Sequence, residues 1–196
     1  MNKNRLEAFS DGVIAIIITI MVLELKVPHG ETWADLGALW PVFLSYLLSF
    51  VYVGIYWVNH HHMLHMVKHV NARVLWANMH LLFWLSLIPF VTAWMGENHF
   101  ARNPTVLYGL NALAAGVAYQ LLVLALRQAN GVHNLLGEGV RNSHKGNISL
   151  LLYVLAIVAA LRWHTAASLI LFATVSVMWF IPDRRIEQAL NALSNK

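Results

Sequence analysis

The sequence contains few charged residues and no cysteine. Charged residues make up 11% of the 196 positions, while hydrophobic residues make up 59%; a typical soluble domain has about 25% charged residues. A soluble domain of this size needs more charge to cover its surface, so that class is excluded. A disordered chain needs low hydrophobicity and a disulfide scaffold needs cysteine, so both are excluded too. The composition indicates an integral membrane protein.

Long intervals of the chain contain no acidic or basic residue. A spanning helix needs about 17–25 mostly apolar residues. Five intervals are long enough or nearly so: 36–67, 74–96, 103–126, 146–161 and 163–182. A further span is predicted from near Arg5, where Asn4 and Glu7 have the spacing of a capping box, to a point before Pro28. The sequence therefore predicts an all-α membrane protein with six transmembrane helices, as one domain over residues 1–196 with a short cytoplasmic tail at 183–196.

Basic residues lie mostly on one side of these predicted spans. The N-terminus, the second and fourth connections and the tail carry 10 of the 13 Lys and Arg residues. Cytoplasmic loops are enriched in Lys and Arg, so both termini are predicted to face the cytoplasm. The same bias accounts for the net charge of +4. We therefore expect a lipid bilayer, and no nucleic acid, as partner.

The first predicted helix carries a narrow stripe of residues at helical spacing. Gly12, Ile16, Thr19 and Leu23 are three or four positions apart, so they share one face. One interpretation is ordinary helix packing, with the Thr19 hydroxyl bonded to its own backbone. The polar residues just before the stripe favour a functional role, because an ionisable group such as Asp11 costs about 2.5–3.5 kcal/mol inside a membrane.

The same helix has the pattern Arg5-x-x-x-Phe9-Ser10-Asp11-Gly12-x-x-Ala15-Ile16-x-x-Thr19-x-x-x-Leu23. This pattern resembles the signature of the transmembrane protein 175 family, which comprises potassium channels of eukaryotic endolysosomes and their bacterial homologues. The similarity continues in the second and third predicted helices, with Trp57-x-x-His60-His61, Asn78 and Pro89-Phe90-x-Thr92. A single set of six helices is the bacterial form.

The resemblance implies a homotetramer in the inner membrane of a bacterium, with the first helix of each chain around a central pore. It places a hydrophobic constriction at Ile16, a second apolar ring at Leu23 and a layer that selects K⁺ over Na⁺ at Thr19. Apolar rings can gate by excluding water, and hydroxyl rings can replace part of an ion's hydration shell. The expected function is passive, leak-type K⁺ conduction without a voltage sensor, with K⁺ as permeant ion and no cofactor.

The resemblance also implies a structural hydrogen-bond network near the cytoplasmic end of the first helix. Its predicted members come from the first three helices, and Ser10 and Asp11 are expected to meet residues of the second and third. The members are Arg5, Ser10, Asp11, Trp57, His60 and Asn78. In the other interpretation, Asp11 lies at the membrane interface and contacts water.

Five histidines crowd the end of the second predicted helix: His60, His61, His62, His65 and His69. The pairs His61/His65 and His65/His69 have a spacing that can place two imidazoles on one metal. No cysteine or neighbouring carboxylate completes such a site, so a solvated helix end is the favoured interpretation. The alternative function is a proton-coupled or divalent-metal transporter that uses Asp11 and the His60–His69 cluster. No residue pattern suggests catalysis, so an enzyme is not expected.

Overall fold

The computed structural model describes residues 3–131 and 144–180, and these ranges are helical apart from short connections. The helices are α1 Lys3–Leu23, α2 Trp33–Gly37, α3 Trp40–His65, α4 Ala72–Ser86, α5 Ile88–Glu97, α6 Arg102–Asn130, α7 His144–Arg162 and α8 Thr165–Phe180. The prediction of an all-α protein is confirmed for this part of the chain.

Five helical segments are long and apolar enough to cross a membrane: α1, α3, the segment Ala72–Glu97 formed by α4 and α5, α6 and α7. The helix α8 is apolar but shorter, with 16 residues up to Phe180. The remainder of the predicted sixth span and the tail at 183–196 lie outside the described residues. The third span therefore consists of two helices instead of the single one that its hydropathy predicts.

The break in the third span follows from Pro89. Proline has no N–H to continue the helical hydrogen-bond ladder, and its ring disturbs the preceding turn. Accordingly α4 ends at Ser86, and the Leu87 amide donates to the Trp84 carbonyl at 3.4 Å. The Asn111 side chain of α6 donates to the same carbonyl at 3.1 Å. The break is thus supported by a polar contact from a neighbouring helix.

The two halves of the third span have different main partners. The helix α4 packs chiefly on α6, whereas α5 packs chiefly on α3. The helix α1 packs against α3, α4 and α5, and it buries the side chains of Leu6, Ser10, Ile14, Ile17 and Met21 there. The helices α7 and α8 pack on each other and on α6. This arrangement leaves α1 at the edge of the protomer.

The start of α1 differs from the prediction. The helix includes Lys3 and Asn4, so Asn4 does not lie before the first turn as a cap. The polar segment stays helical because Lys3, Glu7 and Asp11 have partners on α3. The spacing of Asn4 and Glu7 was therefore not a start signal.

Gly96 allows α5 to approach α3 closely. A Cβ atom at this position would lie 2.3 Å from Ser45 Oγ and 2.8 Å from Val42 Cα. The second of these atoms belongs to the backbone, so side-chain rotation cannot relieve the contact. The packing of α5 on α3 thus depends on the absence of a side chain at residue 96.

We predict that Gly96→Ala lowers the free energy of unfolding by about 1–3 kcal/mol, because it overpacks this contact. Denaturation by SDS in mixed micelles measures the change. The matched control is Gly54→Ala on α3, where a Cβ would have no neighbour within 4 Å. Equal stability of the two variants would contradict the close approach of α5 to α3.

Candidate functional site

The two faces of α1 have opposite environments. Ile16 is 58% exposed and Leu23 is 75% exposed, while Ile17 is 4% exposed and Met21 is 2% exposed. Residues on one side of the helix are thus buried against α3, α4 and α5. The stripe of Gly12, Ile16, Thr19 and Leu23 lies on the exposed side. The residues that the sequence predicts as pore-lining are therefore on a surface that residues 3–131 and 144–180 leave uncovered.

The Thr19 hydroxyl has a defined orientation. It donates to the carbonyl oxygens of Ala15 at 3.1 Å and of Ile16 at 2.9 Å. A hydroxyl has one proton and two lone pairs, so this bond uses the proton and leaves the oxygen free to accept. The bond to the helix backbone therefore does not compete with coordination of a cation, because it points the lone pairs away from α1.

Three buried side chains link α1, α3 and α4. Asn78 Nδ2 donates to Ser10 Oγ at 2.9 Å, and Asn78 Oδ1 lies 2.7 Å from His60 Nε2. Because Ser10 uses its proton on the Leu6 carbonyl at 2.9 Å, its oxygen must accept from the Asn78 amide. The Asn78 carbonyl oxygen then accepts from His60, which carries its proton on Nε2. All three side chains are fully buried.

A second set of contacts joins the polar end of α1 to the end of α3. The residues on each helix are four positions apart and run in opposite directions, as antiparallel neighbours must. The contacts are Lys3 Nζ to the His65 carbonyl oxygen at 3.3 Å, Glu7 Oε1 to His61 Nδ1 at 3.1 Å, and Asp11 Oδ1 to Trp57 Nε1 at 3.1 Å. These three contacts are called the α1–α3 ladder below.

Sequence reasoning missed two contacts of this ladder. Lys3, Glu7 and His61 were not expected to take part, although Lys3, Glu7 and Asp11 recur every four residues in a chain with little charge. Residues four apart lie on one helical face, so this spacing was the available signal. Arg5 differs from the expectation, because it lies on the exposed face with Ile16. Its side chain has no hydrogen bond or ion pair with the residues that the structure describes.

The histidine cluster is divided between α3 and the connection that follows it. The helix α3 ends at His65, so His69 lies in the connection and does not share a helical face with His65. The backbone amide of His69 donates to Asn130 Oδ1 at 2.8 Å. No group of three or more potential metal ligands occurs among residues 3–131 and 144–180. The structure therefore does not bring His61, His65 and His69 together as a group of three.

The other end of α1 is attached to α5. Just beyond the helix, Lys26 Nζ forms an ion pair and hydrogen bond with Glu97 at the end of α5. The hydrogen bond with Glu97 and its negative charge raise the pKa of Lys26 above its ordinary value. Both ends of α1 are thus connected to the body of the protomer, while its exposed face has no cover from the described residues.

A shallow groove runs beside the exposed stripe, between α1 and the broken third span. Its walls are mainly apolar, and the break itself forms one side. The lining residues are Val13, Ile16, Ile17, Ile20, Glu24, Ser86, Pro89, Phe90 and Ala93.

We predict that Asn78→Ala lowers the free energy of unfolding by about 1–3 kcal/mol, because the buried His60 N–H loses its acceptor. SDS denaturation is again the measurement. Asp11→Asn is the comparison, since an amide oxygen can still accept from Trp57, and its cost should be below about 1 kcal/mol. A larger effect of Asp11→Asn than of Asn78→Ala would show that the α1–α3 ladder, not the buried chain, holds α1.

The sequence and fold match known channels. Residues 5–89 match the family described as endosomal/lysosomal potassium channel TMEM175. A potassium channel of Chryseobacterium sp. (strain P1-3) is 50% identical over 190 residues, which are 97% of this chain and 98% of that protein. A potassium channel of Streptomyces collinus is 37% identical over 131 residues, which are 62% of this chain and 64% of that protein.

A solved structure extends the comparison to the fold. The crystal structure of a lysosomal potassium-selective channel TMEM175 homologue from Chamaesiphon minutus matches with a TM-score of 0.80 and 28% identity. The match covers 90% of this chain and 95% of that one. These relatives are named as channels, so the expectation that this chain is not an enzyme is confirmed. The chain belongs to the TMEM175 family.

Proposed function

We propose that four copies of this chain form a potassium channel in which the exposed stripe of α1 lines the central pore. The observation that carries the proposal is the exposure of Ile16, Thr19 and Leu23 on a helix whose opposite face is buried. One copy of α1 cannot enclose a pore, so several copies must contribute this face. We take K⁺ as the conducted ion because the relatives are named as potassium channels.

The order of side chains along the stripe suits conduction of a cation that loses part of its hydration water. A helix rises about 1.5 Å per residue. Along the pore axis, Thr19 therefore lies about 4.5 Å beyond Ile16, and Leu23 lies about 10 Å beyond Ile16. Rings of Ile16 and Leu23 form apolar constrictions that exclude water when narrow. Between them, the Thr19 oxygens offer lone pairs in place of lost hydration water. Conduction is passive, because ions move through one continuous path.

Assembly uses the surfaces next to the stripe. Gly12 has no neighbour within 4 Å of a hypothetical Cβ, so another helix can approach α1 there. The groove between α1 and the third span supplies an apolar surface alongside. A neighbouring copy of α1 on these surfaces buries apolar area that the single chain leaves exposed, and this stabilises a homotetramer.

The proposed membrane topology has six spans, with α8 and the residues after it as the sixth. Both termini lie in the cytoplasm, because most Lys and Arg residues are on that side. The chain acts as one channel domain over residues 1–196, with its tail at 183–196 in the cytoplasm. The similarity to a channel of Chryseobacterium sp. supports a bacterial inner membrane as the location.

The transporter hypothesis receives less support. It assigns proton or metal transfer to Asp11 and the His60–His69 cluster, but the structure uses Asp11 and His60 to connect helices. His69 lies away from His65 in a connection, and the described residues contain no metal-ligand group. A transport cycle that used Asp11 and His60 would therefore have to break their hydrogen bonds to neighbouring helices.

The assembly predicts a tetramer in solution. Native mass spectrometry of the chain in mild detergent should give a mass four times 22.1 kDa. Gly12→Leu should reduce the tetramer fraction, because the side chain would separate neighbouring copies of α1. Gly54→Leu is the control on α3. A monomer that conducts K⁺ would contradict the pore model.

The gate is tested by substitutions that change the polarity of a side chain in the stripe and leave its position unchanged. Ile16→Asn should raise K⁺ leak in proteoliposomes, because the amide keeps the constriction wet. Thr19→Val keeps the shape and removes the oxygen, so the K⁺/Na⁺ permeability ratio should fall while conduction persists. Planar-bilayer recordings in opposing K⁺ and Na⁺ gradients, without a proton gradient, measure both effects and separate a channel from a proton-coupled transporter.

The control for the gate is Val22→Asn. Val22 is 46% exposed on α1, and helix geometry turns it about 120° from Ile16. Ile17 cannot serve, because it is buried and an amide there would damage the packing of α1. A leak through Val22→Asn without one through Ile16→Asn would place the pore on another face of the helix.

A further inference from the structure

The residue directly after α1 is acidic, and the structure leaves its charge outside the ion pairs of the protomer. The helix α1 ends at Leu23, and the Glu24 amide donates to the Met21 carbonyl at 3.4 Å. The ion pairs within residues 3–131 and 144–180 join Lys26 to Glu97 and His61 to Glu7, so Glu24 belongs to neither. Its side chain is half-buried. The carboxylate is therefore available to ions from solution.

The position of Glu24 is unfavourable for the helix itself. The C-terminal end of a helix carries a partial negative charge, so a basic residue is preferred there. The last turn of α1 has no basic residue, and an acidic one follows directly. The stability of α1 therefore does not explain Glu24, because a neutral residue would suit this helix end better.

The basic residue nearest in sequence is engaged with another helix. Lys26 lies two positions after Glu24, but its Nζ forms the ion pair with Glu97 of α5. Glu97 raises the pKa of Lys26 through a hydrogen bond and through its charge, and Glu24 contributes less than either. The charges of Lys26 and Glu97 cancel each other, so the negative charge of Glu24 remains uncompensated.

Glu24 lies beside the exposed stripe of α1. Helix geometry, extended by one residue, places it about 12 Å beyond Ile16 along the helix axis and about 80° around it. Ile20 lies between these two directions and is 42% exposed. Ile16, Ile20 and Glu24 also line the same groove, and Glu24 is the charged residue among its described lining residues. The structure thus places a carboxylate at the Leu23 end of the surface that we propose to line the pore.

We propose that Glu24 attracts cations to the entrance of the pore at the Leu23 end of α1. This inference rests on the proposed tetrameric channel, in which four copies of Glu24 surround that entrance. Rings of acidic side chains select cations in channels, and a local negative field raises the concentration of cations at the entrance. The partial negative charges of the four helix ends have the same sign. Glu24 therefore favours cations over anions and raises the K⁺ current when salt is low.

The salt dependence of the conductance tests this role. The variant is Glu24→Gln, and the control is Glu31→Gln, which removes the same charge from an exposed position in the connection after α1. The Debye length is about 30 Å in about 0.01 M salt and about 3 Å in about 1 M salt. In planar bilayers, the single-channel conductance of Glu24→Gln should be about threefold below that of the natural protein in the lower KCl concentration. In the higher concentration the two should be nearly equal, and Glu31→Gln should match the natural protein in both.

The failure of this inference and the failure of the proposed function give different results. A natural protein that conducts K⁺, with a Glu24→Gln variant of equal conductance at low salt, would overturn this inference and leave the proposed channel intact. An equal loss of conductance at both salt concentrations would also overturn it, because salt does not screen a change in the structure of the pore. A natural protein that conducts no K⁺ would overturn the proposed function and this inference with it.

A measurement on the natural protein decides the matter if Glu24→Gln does not assemble. At a constant low K⁺ concentration, N-methylglucamine chloride raises the ionic strength with a large organic cation in place of K⁺. About 0.3 M of this salt, added to one chamber at a time, should lower the K⁺ current about twofold from the side of Glu24 only. An unchanged K⁺ current after addition to either side would overturn the proposal.

Discussion

The buried chain from Ser10 through Asn78 to His60 is the constraint on which the arrangement of α1 depends. It fixes one face of α1 toward α3 and α4, and its donors and acceptors match in only one direction. Unsatisfied polar groups are costly in a membrane, so rotation of α1 about its axis is opposed by this chain. The exposed face is consequently determined by the buried one. Ile16 and Thr19 face outward because Ser10 faces inward.

Several of the few charged residues in the chain connect the ends of α1 to other helices. Lys3, Glu7 and Asp11 connect α1 to α3 at one end, and Lys26 connects it to α5 at the other. Exposed ion pairs and hydrogen bonds of this kind contribute little to stability. These contacts instead fix the orientation of α1, because they hold both ends of a helix that is exposed on one face. Stability comes from the apolar packing and the buried polar chain.

Much of α1 could be predicted from sequence, because its hydrophobic stripe and its polar segment each have a clear helical spacing. The partners on other helices required the family resemblance, since spacing along one helix says nothing about which helix lies beside it. Asn78 and His60 are 18 positions apart on successive helices, and only the folded structure brings their side chains together. The division of the third span depends on Pro89 and also on Asn111 of α6, and hydropathy alone describes one continuous segment.

The break at Leu87 gives the two halves of the third span different neighbours. The half before the break, α4, packs chiefly on α6, whereas the half after it, α5, packs chiefly on α3 and pairs through Glu97 with Lys26, just beyond α1. We therefore expect a displacement at the Leu23 end of α1 to reach α5 first, through Lys26 and Glu97. A bend at Leu87 breaks no backbone hydrogen bond from Pro89, because proline has no N–H to donate. We therefore expect the Leu23 end of α1 to yield more readily than the Lys3 end, which Ser10 and the α1–α3 ladder hold against α3 and α4.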